Sequence, residues 1–182
     1  MSEVYLKKAK KTPETGTSET RKIVERMLSE IETGKETIAK KYASDLDGFN
    51  GDIIVSQESL ENASKMVPEK LKDDIKFAHE RIKKFAEAQK QSISEFETEL
   101  SPGLWAGQKL IPIQTAGCYV PGGRYAHVAS AIMSITTARV AGVENIIACS
   151  APKGEDGPNP AILYTMNYCC LLYTSDAADD SG

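Results

Sequence analysis

The sequence predicts an α/β fold in which a helical N-terminal region precedes a parallel β-sheet. Two observations predict it. Apolar residues recur at helical spacing in the charge-rich part before residue 100, whereas short uncharged apolar runs follow it. Two of those runs, 116–120 and 145–149, flank a helical pattern over 128–140. A strand, a crossover helix and a second strand make a βαβ unit, whose parallel pairing is right-handed in nearly all proteins.

The N-terminal region begins with a polar, lysine-rich stretch, residues 1–16, which we interpret as a flexible arm. Apolar residues at helical spacing then predict a helix over 19–32, an interruption at Gly34 and a second helix over 35–44. The run 52–55 is short and apolar, and we expect a strand there.

The next two predicted helices are marked by their first residues. Ser56 is placed to cap a short helix. Pro68 suits the first position of a longer helix that runs to about Gln91. An apolar stripe follows this longer helix: Leu71, Ile75, Ala78, Ile82, Phe85 and Gln89. We interpret the stripe as packing within its own domain, because it is short for a free coiled coil. His79 lies on the flank of the stripe, where a solvent-exposed position is expected.

A change of composition near residue 100 divides the chain. Most lysines and arginines lie before it, so we assign 17–100 to the helical region and the residues from 101 to an α/β region. Segments 92–100 and 108–113 are predicted to be extended. Asn159 is placed to cap a last helix that starts at Pro160.

The turn after the first strand of the βαβ unit is the candidate ligand site. Ligands of open parallel sheets bind at the carboxyl ends of the strands. Gly122 and Gly123 allow backbone N–H groups to approach a ligand, and Arg124 adds a permanent positive charge for an anion. Tyr119 offers an aromatic ring and a hydroxyl to a ligand. A polar residue at the position of His127 is more often simply part of the turn than a contact to a ligand. A plain surface turn is the alternative, and the residues alone favour neither.

Charge and cysteine content exclude several classes of function. The net charge of −4 argues against a nucleic-acid partner, and no apolar run reaches the roughly 20 residues of a membrane helix. Four cysteines without CxxC spacing favour the reducing cytoplasm over a disulfide framework or a zinc knuckle. We expect Cys118 and Cys149 to be small core residues.

Gly117 to Ser150 carries a specific pattern, with GCYVPGG, then ARVAGV at the end of a helix, then a strand ending in Cys-Ser. With DLDGF at 45–49 and RIKKFAEAQ at 81–89, it resembles the histidinol dehydrogenase family over nearly all of 18–167. The resemblance implies an incomplete Rossmann-like NAD-binding domain over 101–167. It also implies an NAD-dependent, zinc-assisted enzyme that oxidises a primary alcohol to a carboxylate through an aldehyde. Tyr119 matches the family's nucleotide-contacting tyrosine.

The residues after Pro-Gly-Gly differ from those usual in the family, and they indicate which substrate is oxidised. Arg124 to Ser130 is closer to the sulfopropanediol dehydrogenase branch, which oxidises 2,3-dihydroxypropane-1-sulfonate to 3-sulfolactate. On this interpretation Arg124 and His127 help to receive the sulfonate. Two alternatives stay open, namely oxidation of L-histidinol to L-histidine and a non-catalytic binding module that uses the helical region.

The resemblance also places the zinc ligands, the catalytic Glu-His pair and the other nucleotide contacts beyond this chain. No catalytic or metal-ligating residue is therefore expected within it, and a homodimer is expected only of a full-length protein. Residues 168–182 resemble a translated sequencing adapter, and we interpret them as a non-native tail on a C-terminally truncated fragment. Cys169 and Cys170 then carry no functional weight.

Overall fold

The computed structural model describes residues 18–122, 125–153, 155 and 157–171 of the 182-residue chain. The predicted arm, most of the predicted tail, and Gly123 and Arg124 lie outside the described residues. The helices are α1 (Ser18–Asp47), α2 (Gln57–Met66), α3 (Glu69–Gln91), α4 (Val128–Ala131), α5 (Thr137–Ala141) and α6 (Pro160–Leu171), and a π-turn (Ile132–Thr136) joins α4 to α5. The strands are β1 (Phe96–Ser101), β2 (Leu104–Gln108), β3 (Thr115–Val120) and β4 (Asn145–Ser150). Helices and strands in this order confirm the predicted α/β class.

Helix α1 is broken where the sequence predicts an interruption. Lys35, directly after Gly34, has φ 50° and ψ −135°, so two helical segments meet there. The strand expected over 52–55 is wrong, because this segment forms bends and pairs with no strand in the described part of the chain. Its apolar composition favours a strand, but Ile54 is 75% exposed and has no sheet edge beside it.

Helix α2 begins as predicted, whereas α3 begins one residue later than predicted, with Pro68 as its N-cap residue and Glu69 as its first residue. The buried face of α3 also differs from the predicted stripe. Ser56 accepts a 3.1 Å hydrogen bond from the backbone N–H of Ser59. Along α3 the buried residues are Ile75, His79 and Ala86. His79 is only 3% exposed, which corrects the expectation of a solvated residue, whereas Phe85 is 64% exposed. The stripe was predicted from the spacing of apolar residues alone. That spacing cannot show that an aromatic ring of α6 covers His79.

Strands β1 and β2 form an antiparallel hairpin, whose second strand lies earlier than the predicted extended segment 108–113. Gly103, at φ 80°, allows the tight turn after Pro102, and its N–H donates a 2.8 Å hydrogen bond to the Glu99 carboxylate. The chain therefore returns at once, and the second strand runs over 104–108 rather than 108–113. Every residue of both strands is exposed.

Strands β3 and β4 form the predicted parallel pair, with the crossover helix (α4, the π-turn and α5) between them. Gly142, at φ 95°, ends the crossover helix as predicted. One face of the pair packs on this helix and buries Cys118, as expected. Cys149 is exposed, which corrects the prediction of a core residue. It is paired with Tyr119 on the opposite face, which no described helix covers.

Helix α6 completes the core. Asn159 caps it as predicted, since the N–H of Ala161 donates a 2.9 Å hydrogen bond to Asn159 Oδ1. The core contains nine buried residues: Ile75, Cys118, Val120, Ala131, Ile132, Ile135, Ile162, Met166 and Cys169. The predicted start of the tail, residue 168, falls inside α6, and the boundary stays a prediction. No helix within the described ranges is long and apolar enough to cross a membrane.

Candidate functional site

The carboxyl ends of β3 and β4 lie side by side and form the edge at which parallel sheets bind ligands. The last register pair is Val120 with Ser150, and the pair before it is Tyr119 with Cys149. Val120 is fully buried, whereas Tyr119 is 64% exposed. Successive side chains of a strand point to opposite faces of the sheet. Val120 therefore packs into the core, whereas the preceding Tyr119 is accessible to a ligand.

Gly122 is held against the exit of the neighbouring strand. A Cβ atom at this position would lie 2.7 Å from the Ala151 carbonyl oxygen and 3.2 Å from Ser150 Oγ. Only glycine therefore allows the turn after β3 to pack so closely on the chain that leaves β4. This packing is a reason for glycine that the sequence did not reveal. The predicted role in approaching a cofactor stays a prediction.

Ser150 is a feature of this edge that sequence reasoning missed. Its hydroxyl oxygen is buried and has no hydrogen-bond partner in the described part of the protein. Native proteins leave few such groups unpaired, and each calls for an explanation. The signal was available, since Ser150 directly ends the second strand of the βαβ unit, where the sheet edge must lie.

The remaining predicted site residues divide into two groups. Gly123 and Arg124 lie outside the described residues, so their predicted roles are not located. His127 is exposed and precedes α4, where its backbone carbonyl accepts a 3.0 Å hydrogen bond from the N–H of Ser130. Its imidazole does not cap the helix. It lies between the turn and α4, and its predicted contact with the substrate stays a prediction.

The strand edge fits one arm of a dinucleotide. It offers an exposed aromatic ring at Tyr119, a close-packed glycine turn at Gly122 and the unpaired hydroxyl of Ser150. Aromatic faces stack on nucleotide bases, and hydroxyl groups donate to or accept from polar atoms. Zinc does not fit in the same way, because the described ranges hold no group of three His, Cys, Asp or Glu side chains that could hold a metal ion.

A cavity lies outside the carboxyl edge of β3 and β4. It has a volume of about 980 Å³ between α3, the segment 110–113 and the crossover helix, and its lining is mainly apolar. Lys90 borders it, and its ammonium group is engaged with the backbone carbonyl of Val140 at 2.9 Å. Tyr119 and Gly122 do not line it. Ala116, Gly117 and Cys118 do line it, so the cavity lies against β3 but does not include its carboxyl end.

Comparison with known proteins gives consistent matches. The profile of the family described as Histidinol dehydrogenase matches residues 10–172. A histidinol dehydrogenase homolog of Pelagibacter ubique is 54% identical over 170 residues, which are 93% of this chain and 40% of that protein. The sulfopropanediol 3-dehydrogenase of Ruegeria pomeroyi is 49% identical over 165 residues, which are 91% of this chain and 38% of the relative.

A solved structure agrees with these sequence matches. The crystal structure of histidinol dehydrogenase from Elizabethkingia anophelis superimposes with a TM-score of 0.78 at 29% sequence identity. The superposition covers 86% of this chain and 36% of that chain. This chain therefore spans about 40% of the length of the curated relatives it matches.

Proposed function

Because this chain belongs to the histidinol dehydrogenase family, we propose that it is part of an NAD-dependent dehydrogenase that oxidises a primary alcohol to a carboxylate. The family is of the dehydrogenase type. What we propose is the two-step oxidation through an aldehyde, the cofactor and the substrate. The observation that supports it most is the exposure of Tyr119 at the carboxyl edge of the parallel pair, beside a turn that requires glycine.

The chain's own residues bind and orient the cofactor in this proposal. The ring of Tyr119 provides a surface on which an adenine or ribose can pack, and its hydroxyl provides a polar contact. Gly122 keeps the turn close to the end of β4. NAD supplies the hydride acceptor when it is bound. Zinc and the groups that hold or move protons are assigned to parts of the full-length protein other than the described residues.

For the substrate we propose 2,3-dihydroxypropane-1-sulfonate, with 3-sulfolactate as the product. The relative named sulfopropanediol 3-dehydrogenase is 49% identical to this chain, and two relatives named histidinol dehydrogenase homolog are 54% and 50% identical, so sequence identity alone does not choose the substrate. A sulfonate is permanently negative, so a permanently positive guanidinium is a suitable partner. Arg124 is the proposed partner, and His127 is the proposed second contact.

Cofactor binding is tested on the 182-residue chain by calorimetric titration with NAD. Tyr119→Ala removes the ring and is expected to weaken binding about fivefold to 150-fold, because base–aromatic stacking is worth about 1–3 kcal/mol. Tyr119→Phe keeps the ring and separates its contribution from that of the hydroxyl. Phe85→Ala removes an equally exposed ring from α3 and is the control. Equal affinity of the wild type and Tyr119→Ala would contradict the proposed cofactor site.

Substrate choice is tested by steady-state kinetics on a full-length protein that contains this segment. Arg124→Ala is expected to raise KM for the sulfonated diol much more than it lowers kcat, because it removes a contact to a group remote from the reacting carbon. An unchanged KM would show that the assignment of Arg124 is wrong. Turnover of L-histidinol with none of the sulfonated diol would favour the histidinol dehydrogenase alternative.

A further inference from the structure

Gly117 lies in the middle of β3, on the sheet face that no described helix covers. Successive residues of a strand alternate between the two faces, so Gly117 shares this face with Tyr119, two positions later. The register partner of Gly117 on β4 is Ile147. Tyr119 and Ile147 are each 64% exposed. Gly117 is therefore a gap in a layer of exposed side chains, bordered by an aromatic ring and an aliphatic side chain.

The packing of the described residues gives no reason for a glycine at position 117. A Cβ atom there would meet no atom within 4 Å, and the residue does not have a positive φ. Every other glycine that the structure describes has either a positive φ or an atom within 2.7 Å of the added Cβ. Glycine inside a strand lowers stability, because it loses much conformational freedom and has no side chain to pack. It often marks a place where a ligand or another backbone comes close to the strand.

We propose that the gap at Gly117 receives the adenine ring of the dinucleotide, which lies against the strand between Tyr119 and Ile147. The inference rests on the proposed function, because the ligand is the NAD for which Tyr119 is the proposed contact. A planar, uncharged ring suits this place, since Tyr119 offers an aromatic ring to stack on a base and Ile147 adds an apolar contact. A side chain at position 117 would occupy the space of the adenine. The carboxyl edge beyond Tyr119 is left for the polar part of the cofactor.

The test uses the full 182-residue chain and two measurements, the Kd for NAD and the melting temperature without ligand. Gly117→Val fills the gap and is expected to weaken NAD binding about fivefold or more, because a well-packed contact does not accept the extra volume. Gly117→Ala adds one methyl group and is expected to weaken binding by a smaller factor. Both ligand-free melting temperatures should equal or exceed that of the wild type, since the added Cβ meets no atom within 4 Å. A Kd that is unchanged in both variants would overturn the inference.

The matched control is Thr115→Leu. Thr115 is exposed on the same face, two positions before Gly117 and further from the carboxyl edge, so the larger side chain adds bulk outside the proposed adenine position. This variant is expected to keep the wild-type Kd for NAD. Weakening equal to that of Gly117→Val would show a general effect of bulk on this face and would overturn the assignment to Gly117.

ADP-ribose distinguishes the two rings of the cofactor, because it keeps the adenine and lacks the nicotinamide. The wild-type chain is expected to bind it, and Gly117→Val should weaken this binding by the same factor as that of NAD. No binding to the wild type, or equal binding to both, would overturn the adenine assignment. If Tyr119→Ala loses NAD and Gly117→Val retains it, only the inference fails. If the wild-type chain does not bind NAD, the proposed cofactor site fails and the inference fails with it.

Discussion

The ammonium group of Lys90 donates a 2.9 Å hydrogen bond to the backbone carbonyl of Val140, fifty positions further along the chain. Lys90 is in the last turn of α3, and Val140 is in the last turn of α5. The carbonyl groups at a helix C-terminus have no partner within the helix, and their partial negative charge attracts cations. This contact therefore ties the helical region to the end of the crossover helix.

Removal of this ammonium group is expected to destabilise the chain. Lys90→Met keeps most of the apolar stem and should lower the free energy of unfolding by about 1 kcal/mol, the usual contribution of such a hydrogen bond. Urea denaturation followed by circular dichroism measures it. Lys90→Arg keeps a charged donor and should lose less. Equal losses in both variants would show that packing of the stem, rather than the hydrogen bond, stabilises this junction.

The π-turn contributes to the core through Ile135, which is fully buried. Ile135→Ala should lower the free energy of unfolding by about 2–5 kcal/mol, because it leaves a cavity between the crossover helix and its neighbours. Met133, two positions earlier, is 57% exposed, so Met133→Ala should change stability by less than about 1 kcal/mol. Thermal melts of both variants give the comparison, and similar losses would contradict the described orientation of this turn.

His79 should make the stability of the chain depend on pH. Its ring contacts the ring of Tyr168 edge-on, with 5.3 Å between the ring centroids. Burial lowers the pKa of His79 from the ordinary 6.5. The positive charge of Lys83 lowers this pKa further by a smaller amount, and Glu80 raises it. A lowered pKa means that the unfolded chain binds the proton first as the pH falls. The free energy of unfolding should therefore decrease below about pH 6.5 and level off below the folded-state pKa.

The variant His79→Leu isolates this contribution. It lacks the titrating imidazole, so its urea midpoint should vary less than that of the wild type between about pH 7.5 and pH 5. Parallel pH profiles for the wild type and His79→Leu would show that the decrease arises from other groups.

The hairpin of β1 and β2 should be the least protected sheet in the described part of the chain. All of its residues are exposed, and an isolated two-stranded hairpin is only marginally stable in water. Hydrogen exchange should therefore be much faster at Thr98 and Ala106, which face each other in the hairpin, than at the buried Val120 of β3. Slow exchange in the hairpin of the free chain would contradict this.

Local rules predicted the elements whose determinants lie in a few adjacent residues. Gly142 ends the crossover helix, and Asn159 caps α6, because backbone conformation and capping depend on short-range chemistry. The βαβ unit followed from two apolar runs and the pattern between them. The second strand of the hairpin, in contrast, was placed four residues too late.

Burial was predicted less well, because it depends on which element covers a residue. His79 is polar by type, but Tyr168 of α6 lies over it. Cys149 lies in an apolar run, yet its face of the sheet is uncovered in the described residues. At the candidate site, Tyr119 was predicted from the family pattern, and its role stays a prediction. Ser150 was missed although it ends a predicted strand, because a sequence does not show which buried hydroxyl groups lack a hydrogen-bond partner.

The π-turn has a consequence for the length of the crossover helix. In the crossover helix, the buried residues Ile132, Thr136 and Val140 recur every fourth position. This interval is wider than the 3.6 residues per turn of a regular α-helix. A π-turn accommodates one additional amino acid without changing the faces on either side of it. Deletion of one solvent-facing position there, such as Met133, would thus leave an uninterrupted helix in the same orientation.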